Sequence, residues 1–111
     1  MATVVWAKRA HEEKENLYLN GRLEFGVTVA NKTAQKIQEI EISLTKYHQT
    51  GFIEPLLKDK TQFLYRSGHI NKRFKIIYRY DEPNDTVVIE DIWDTRRNPK
   101  NLMGRIKKQK C

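Results

Sequence analysis

Residues 74–80 read Phe74-Lys75-Ile76-Ile77-Tyr78-Arg79-Tyr80, and residues 87–93 read Val87-Val88-Ile89-Glu90-Asp91-Ile92-Trp93. Both runs are rich in β-branched and aromatic residues, and the segment between them carries Pro83, Asn84 and Asp85. Two such runs around a turn predict a β-hairpin. In the first strand Phe74, Ile76, Tyr78 and Tyr80 share one face, while Lys75, Ile77 and Arg79 share the other. The hairpin delivers Arg96 and Arg97 to the end of the sheet it completes. Each guanidinium presents a planar fork of donors, so paired arginines at a strand end suit phosphate binding and point toward nucleic acid.

Upstream, Tyr65 to Ile70 predicts a strand interrupted by Gly68. Residues 52–64 hold Phe52, Leu56, Leu57, Phe63 and Leu64 without a clear period. Further back, Ile37, Ile40, Leu44 and Tyr47 follow the i, i+3, i+7, i+10 spacing of one buried helical stripe, which predicts a helix over about residues 27–48. Residues 7–23 predict another, with Ala10, Leu17 and Gly21 near one face. Gly26 separates the two. Thr3-Val4-Val5-Trp6 is too short to stand alone and should pair with a later strand. Pro99 suits the first turn of a terminal helix whose apolar stripe is Leu102 and Ile106. This order predicts an α+β domain spanning residues 1–111. Two N-terminal helices would cover one face of an antiparallel sheet of about four strands, with a short C-terminal helix.

Charge is distributed in blocks. The chain has 111 residues and a net charge of +7. Residues 65–80 hold Arg66, Lys72, Arg73, Lys75 and Arg79 and no acid, residues 81–94 hold six acids and no base, and residues 95–111 hold seven bases and no acid. A surplus of lysine can serve solubility alone. Segregated blocks fit a polyanion site or an acidic protein partner better. A groove bounded by residues 65–80 and 95–111 would invite an acidic amphipathic segment. The only cysteine is Cys111, so no disulfide or cysteine metal site can form within one chain, and it reads as an incidental thiol at a frayed end. No apolar run approaches membrane-spanning length, and the N-terminus lacks the apolar region of a signal peptide, which fits a cytoplasmic protein with no membrane partner.

The order of elements, the Val5-Trp6 opening, the helix pair and the Ile76-Ile77-Tyr78 strand together resemble the RelE/ParE toxin superfamily of bacterial type II toxin–antitoxin modules. Glu54-Pro55-Leu56, Ser67-Gly68-His69-Ile70-Asn71 and Phe74-Lys75-Ile76-Ile77-Tyr78 are similar to the middle of RelE-type and YoeB-type ribonucleases. Asp94-Thr95-Arg96-Arg97-Asn98-Pro99 is more similar to the ParE branch. The resemblance implies a plasmid-stabilisation toxin held inactive by a cognate acidic antitoxin. It implies foremost a ribosome-dependent mRNA endoribonuclease. A ParE-like inhibitor of DNA gyrase and a non-catalytic binding protein of the same fold are the alternatives.

Under the ribonuclease alternative, Lys75 falls where RelE-like enzymes keep a phosphate-binding arginine, so the charge survives without the bidentate fork. Arg97 falls where RelE keeps an arginine that stabilises the transition state. Glu54 matches a glutamate that some YoeB-type members use as a base. The catalytic tyrosine has no match: its RelE position falls near Leu102, and the YoeB-type His-Tyr pair falls on Thr95 and Arg96. Cleavage by 2′-hydroxyl attack needs a base, an acid and cationic stabilisation of the phosphorane. His69, beside the basic run, could shuttle a proton near neutral pH, although a hydrogen-bonded structural histidine is the commoner case. Arg66, Lys72, Arg73, Arg79 and Arg96 are the candidate nucleic-acid contacts. Trp93, Tyr78 and Trp6 read as core. Three histidines without acidic ligand spacing make no metal site, and no cofactor is implied.

Overall fold

The computed structural model describes residues 1–49, 51–58 and 63–109; Cys111 lies outside them. In chain order the elements are β1 (Thr3–Trp6), α1 (Lys8–Phe25), α2 (Val27–Leu44), β2 (Phe52–Ile53), β3 (Tyr65–His69), β4 (Phe74–Asp81), β5 (Thr86–Asp94) and α3 (Pro99–Gln109). One five-stranded sheet has the order β1-β5-β4-β3-β2. From β2 to β5 all neighbours are antiparallel, as expected, whereas β1 pairs parallel with β5. The sheet is therefore mixed. No tight turn joins β1 to β5, so nothing in their connection imposes antiparallel pairing.

Gly26 alone separates α1 from α2, at φ 92°. A side chain is strained in that region, and glycine lets the chain reverse in one residue. Helix α2 ends at Leu44, earlier than the spacing through Tyr47 implied. Thr45 turns its hydroxyl back onto the Ile42 carbonyl at 2.7 Å, and its N–H bonds there as well, which closes the last turn. Ile37 and Leu44 are buried, Ile40 is half-buried, and Tyr47 lies beyond the helix with 60% of its surface exposed. Strand β3 runs through Gly68 without interruption.

The two faces of the sheet bury different cores. On one, Ile76, Tyr78, Val87, Ile89 and Ile92 pack against Ala10, Ile37 and Leu44 of the helical hairpin. On the other, Tyr65, Ile77 and Trp93 pack against Leu57, Leu102 and Ile106. The basic residues of 65–80 and 95–111 were expected to bound a groove here. Instead α3 and the chain after β2 lie on it, because Leu102 and Ile106 bury their stripe there with no exposed surface. A strand covered on both sides needs apolar residues at successive positions, which accounts for Ile76-Ile77 in β4.

The β4–β5 ladder shifts register after Ile77. Ile77 opposes Asp91 but Tyr78 opposes Ile89, so Glu90 is an extra residue in β5. Such a bulge lets two successive side chains turn to the same face. Glu90 and Asp91 thereby both reach partners on the α3 side.

Candidate functional site

Of the cations expected to handle a phosphate, Lys75, Arg73, Arg79 and Arg96 already hold a carboxylate. Lys75 projects from β4 beside Trp93 and His69, its register neighbours. Its ammonium makes an ion pair with Glu54; the Lys75 side chain is 10% exposed and that of Glu54 is not exposed at all. Glu54 follows β2, and its other oxygen accepts the Leu56 N–H at 2.9 Å. Its backbone N–H donates to the Tyr65 carbonyl at 2.9 Å. Glu54 is therefore no solvated loop residue: it pins the chain after β2 onto the sheet. A buried pair of this kind survives only because each charge satisfies the other.

Arg79 donates from Nε to Glu90 at 2.8 Å and lies over the Phe63 ring. Arg73 donates to Asp94 at 3.1 Å. Arg96 approaches the same carboxylate at 3.5 Å, and its backbone N–H donates to it at 2.9 Å. Burial opposes ionisation of Asp94, but the Arg96 N–H and the Arg73 guanidinium together hold its carboxyl below the usual range. Arg66 donates to the Gly51 carbonyl at 3.0 Å. His69 is exposed at the end of β3. Among the described residues, Lys72 and Arg97 have no acidic partner; Arg97 lies 5.1 Å over the Trp93 ring. Trp93 thus lies between Lys75 and Arg97 and brings these candidates near one another.

Residue reading missed a second charged cluster. Arg105 of α3 donates twice to Asp91, at 2.7 Å from Nε and 2.7 Å from Nη2, and reaches Glu13 of α1 at 3.3 Å. Asp91 is fully buried. Burial raises its pKa, outweighing the bidentate arginine that acts to lower it. The signal was present in the sequence: Asp91 interrupts an apolar strand, and Arg105 precedes Ile106 on the buried stripe of α3. On the same face, burial pushes the Tyr65 phenol up to about 12, with the Glu90 charge adding to it.

The Lys75–Glu54 and Arg105–Asp91 pairs are buried, the Arg73–Asp94–Arg96 cluster stands at the sheet end with its arginines partly exposed, and Arg97 and Lys72 are exposed. Among the described residues, no group of His, Cys, Asp and Glu could hold a metal ion, and no helix is long and apolar enough to cross a membrane.

No curated protein matches the chain by sequence. Among solved structures, a chain of the "Chromosomal ParDE TA system from P. aeruginosa" superposes with a TM-score of 0.66 at 19% identity. That match covers 85% of this chain and 96% of the other, and it shows a shared fold. The family described as "ParE toxin of type II toxin-antitoxin system, parDE" matches residues 4–99, which include every element from β1 to the start of α3. The chain belongs to the ParE toxin family of type II toxin–antitoxin systems.

Proposed function

We propose that this chain arrests growth by binding DNA gyrase, and that it does not cleave mRNA. The observation that carries this reading is the Lys75–Glu54 pair. In the ribonuclease alternative Glu54 would act as base and Lys75 would hold the phosphate. Here each neutralises the other beneath α3, with almost no exposed surface. Arg73 and Arg79 likewise hold Asp94 and Glu90. A cation already bound to a carboxylate has little to offer a phosphate, because the pair must break first. The match to the family described by parDE favours the same side, since ParE-like members poison gyrase.

In this reading Arg97 and Lys72 are the cations offered to the target. Arg97 does so from the rim of the site, with its guanidinium over the Trp93 ring. The decisive experiment pairs supercoiling of relaxed plasmid by purified gyrase with primer-extension mapping of ribosome-bound mRNA. Inhibited supercoiling with intact mRNA is expected. Arg97→Ala should weaken inhibition at least tenfold with an unchanged melting temperature. Ribosome-dependent cleavage without any effect on gyrase would return the nuclease reading to first place.

A further inference from the structure

Two loops meet at the end of the sheet where β4 begins and β5 ends. Asn71, Lys72 and Arg73 form the turn into β4, and Thr95 to Asn98 lead from β5 into α3. They are clasped together. The Thr95 N–H donates to the Arg73 carbonyl at 2.7 Å, and the Thr95 hydroxyl to the Lys72 carbonyl at 3.4 Å. The Asn71 side-chain oxygen accepts the N–H groups of Arg73 and Phe74, each at 2.9 Å, which stiffens the first loop. With the first turn of α3, the clasp presents Lys72, Arg73, Arg96, Arg97 and Lys100 against one acid, Asp94. Arg73 and Arg96 share that carboxylate, each through Nε, and their side chains stay 39% and 65% exposed. One carboxylate cannot neutralise two guanidinium groups, so Asp94 orients the pair and leaves a surplus. Lys72, Arg97 and Lys100 are exposed. Glu24 of α1 lines the groove beside the clasp and bounds the cationic surface on that side.

We propose that this clasp binds the phosphate backbone of duplex DNA. Under the gyrase reading, on which this setting rests, the toxin grips the DNA that gyrase handles as well as the enzyme. Guanidinium forks and ammonium groups held on a tied frame match phosphate oxygens. Two features favour a duplex over a single strand and backbone over bases. Single strands are held by stacking their bases on open aromatic rings. Here the clasp's own arginines cover Phe74 and Trp93: Arg73 lies 4.8 Å over the first ring and Arg97 5.1 Å over the second. Reading adenine takes the oxygen and the nitrogen of an asparagine side chain together. The Asn71 oxygen already accepts two backbone N–H groups, and the Asn98 oxygen accepts that of Lys100 at 3.0 Å. The clasp therefore offers its cations to phosphate, the group that fixes a protein on a duplex whatever the sequence.

Fluorescence anisotropy of a short labelled duplex, titrated with the purified toxin as salt is raised, measures the binding. Each phosphate neutralised contributes about −0.9 to the slope of log affinity against log salt, so four contacts lose roughly 150-fold between about 50 and 200 mM salt. Lys72→Gln, Arg96→Gln and Arg97→Gln should each make the slope shallower by about 0.9. Lys36→Gln, the same change of charge on α2, should leave it unchanged. All four side chains are exposed, so the variants should fold, and their melting temperatures check this. A slope that changes as much for Lys36→Gln as for the clasp variants would overturn the proposal, because the attraction would then belong to the whole basic surface. So would a duplex that does not bind at low salt, or single-stranded RNA held more tightly than the duplex through the same three residues. Supercoiling by gyrase is scored beside the anisotropy. Duplex binding through the clasp with supercoiling untouched would sink the gyrase reading and leave the DNA site standing. Supercoiling inhibited equally by the parent and the clasp variants, with slopes unchanged, would sink the DNA site and leave the gyrase reading standing.

Discussion

Replacing Lys75 with alanine removes the ammonium paired with Glu54. Among the described residues, the carboxylate would then sit in a place with no exposed surface and one remaining donor, the Leu56 N–H at 2.9 Å. Breaking a buried pair from one side costs about 3–5 kcal/mol, because the other charge is left uncompensated. A domain of this size has a stability of about 5–15 kcal/mol, so the loss is a large fraction of the whole. With about 4 °C per kcal/mol, the melting temperature should drop by roughly 12–20 °C. Urea unfolding followed by tryptophan fluorescence measures it, since Trp93 packs beside Lys75. The companion variant Lys75→Met/Glu54→Leu removes both charges and keeps the volume. It should recover most of the loss, as apolar replacements of buried pairs commonly do. A Lys75→Ala loss below about 1 kcal/mol would refute the argument. So would a double variant as unstable as the single. If Lys75→Ala kept its stability and lost growth arrest, Lys75 would be a chemical participant and not a structural one.

Arg105→Ala should cost about 3–5 kcal/mol for the same reason, by stranding Asp91, and hydrogen exchange should show α3 losing protection before the β4–β5 core. On the acid side, Asp94 is held below its usual pKa, so its contribution is fully present above the unfolded value of about 3.9 and is lost as pH falls through the lower folded value. Asp94→Asn should therefore flatten the acid-side fall in stability; an unchanged slope would count against the Arg73–Asp94–Arg96 cluster. At the alkaline end Tyr65 is raised to about 12, so stability should decline from about pH 10 upward as the unfolded phenol ionises first, and Tyr65→Phe should remove that part of the decline. Ile76→Ala should cost about 2–5 kcal/mol because Ile76 is fully buried, and the half-buried Ile40 should cost less when truncated, as judged by urea midpoints.

The sequence by itself determined the elements and their order. Period-2 alternation after Phe74, the helical stripe from Ile37 to Leu44, Gly26 as the reversal point and Pro99 as a helix start are local signals, each set by backbone sterics or by which face must be apolar. They were legible because neighbours in sequence carry them, and together with the Glu54–Pro99 motifs they sufficed for the superfamily. What surrounds each charge was decided only in the tertiary structure. Glu54 read as the match of a glutamate used as a base, and its burial depends on Lys75, 21 residues away in the numbering. Arg79 and Arg73 read as candidate nucleic-acid contacts, yet each meets an acid of β5. The Ile77–Asp91 register and the bulge at Glu90 determine which acids turn toward α3. Asp91 lies opposite Arg105 only because α3 folds over the second face of the sheet. A charge count gives the sum of the field, whereas ion pairing depends on distances of a few ångströms between strands and helices. For that reason the net charge of +7 was visible from the start, while the lack of an acidic partner for Lys72 and Arg97 among the described residues was not.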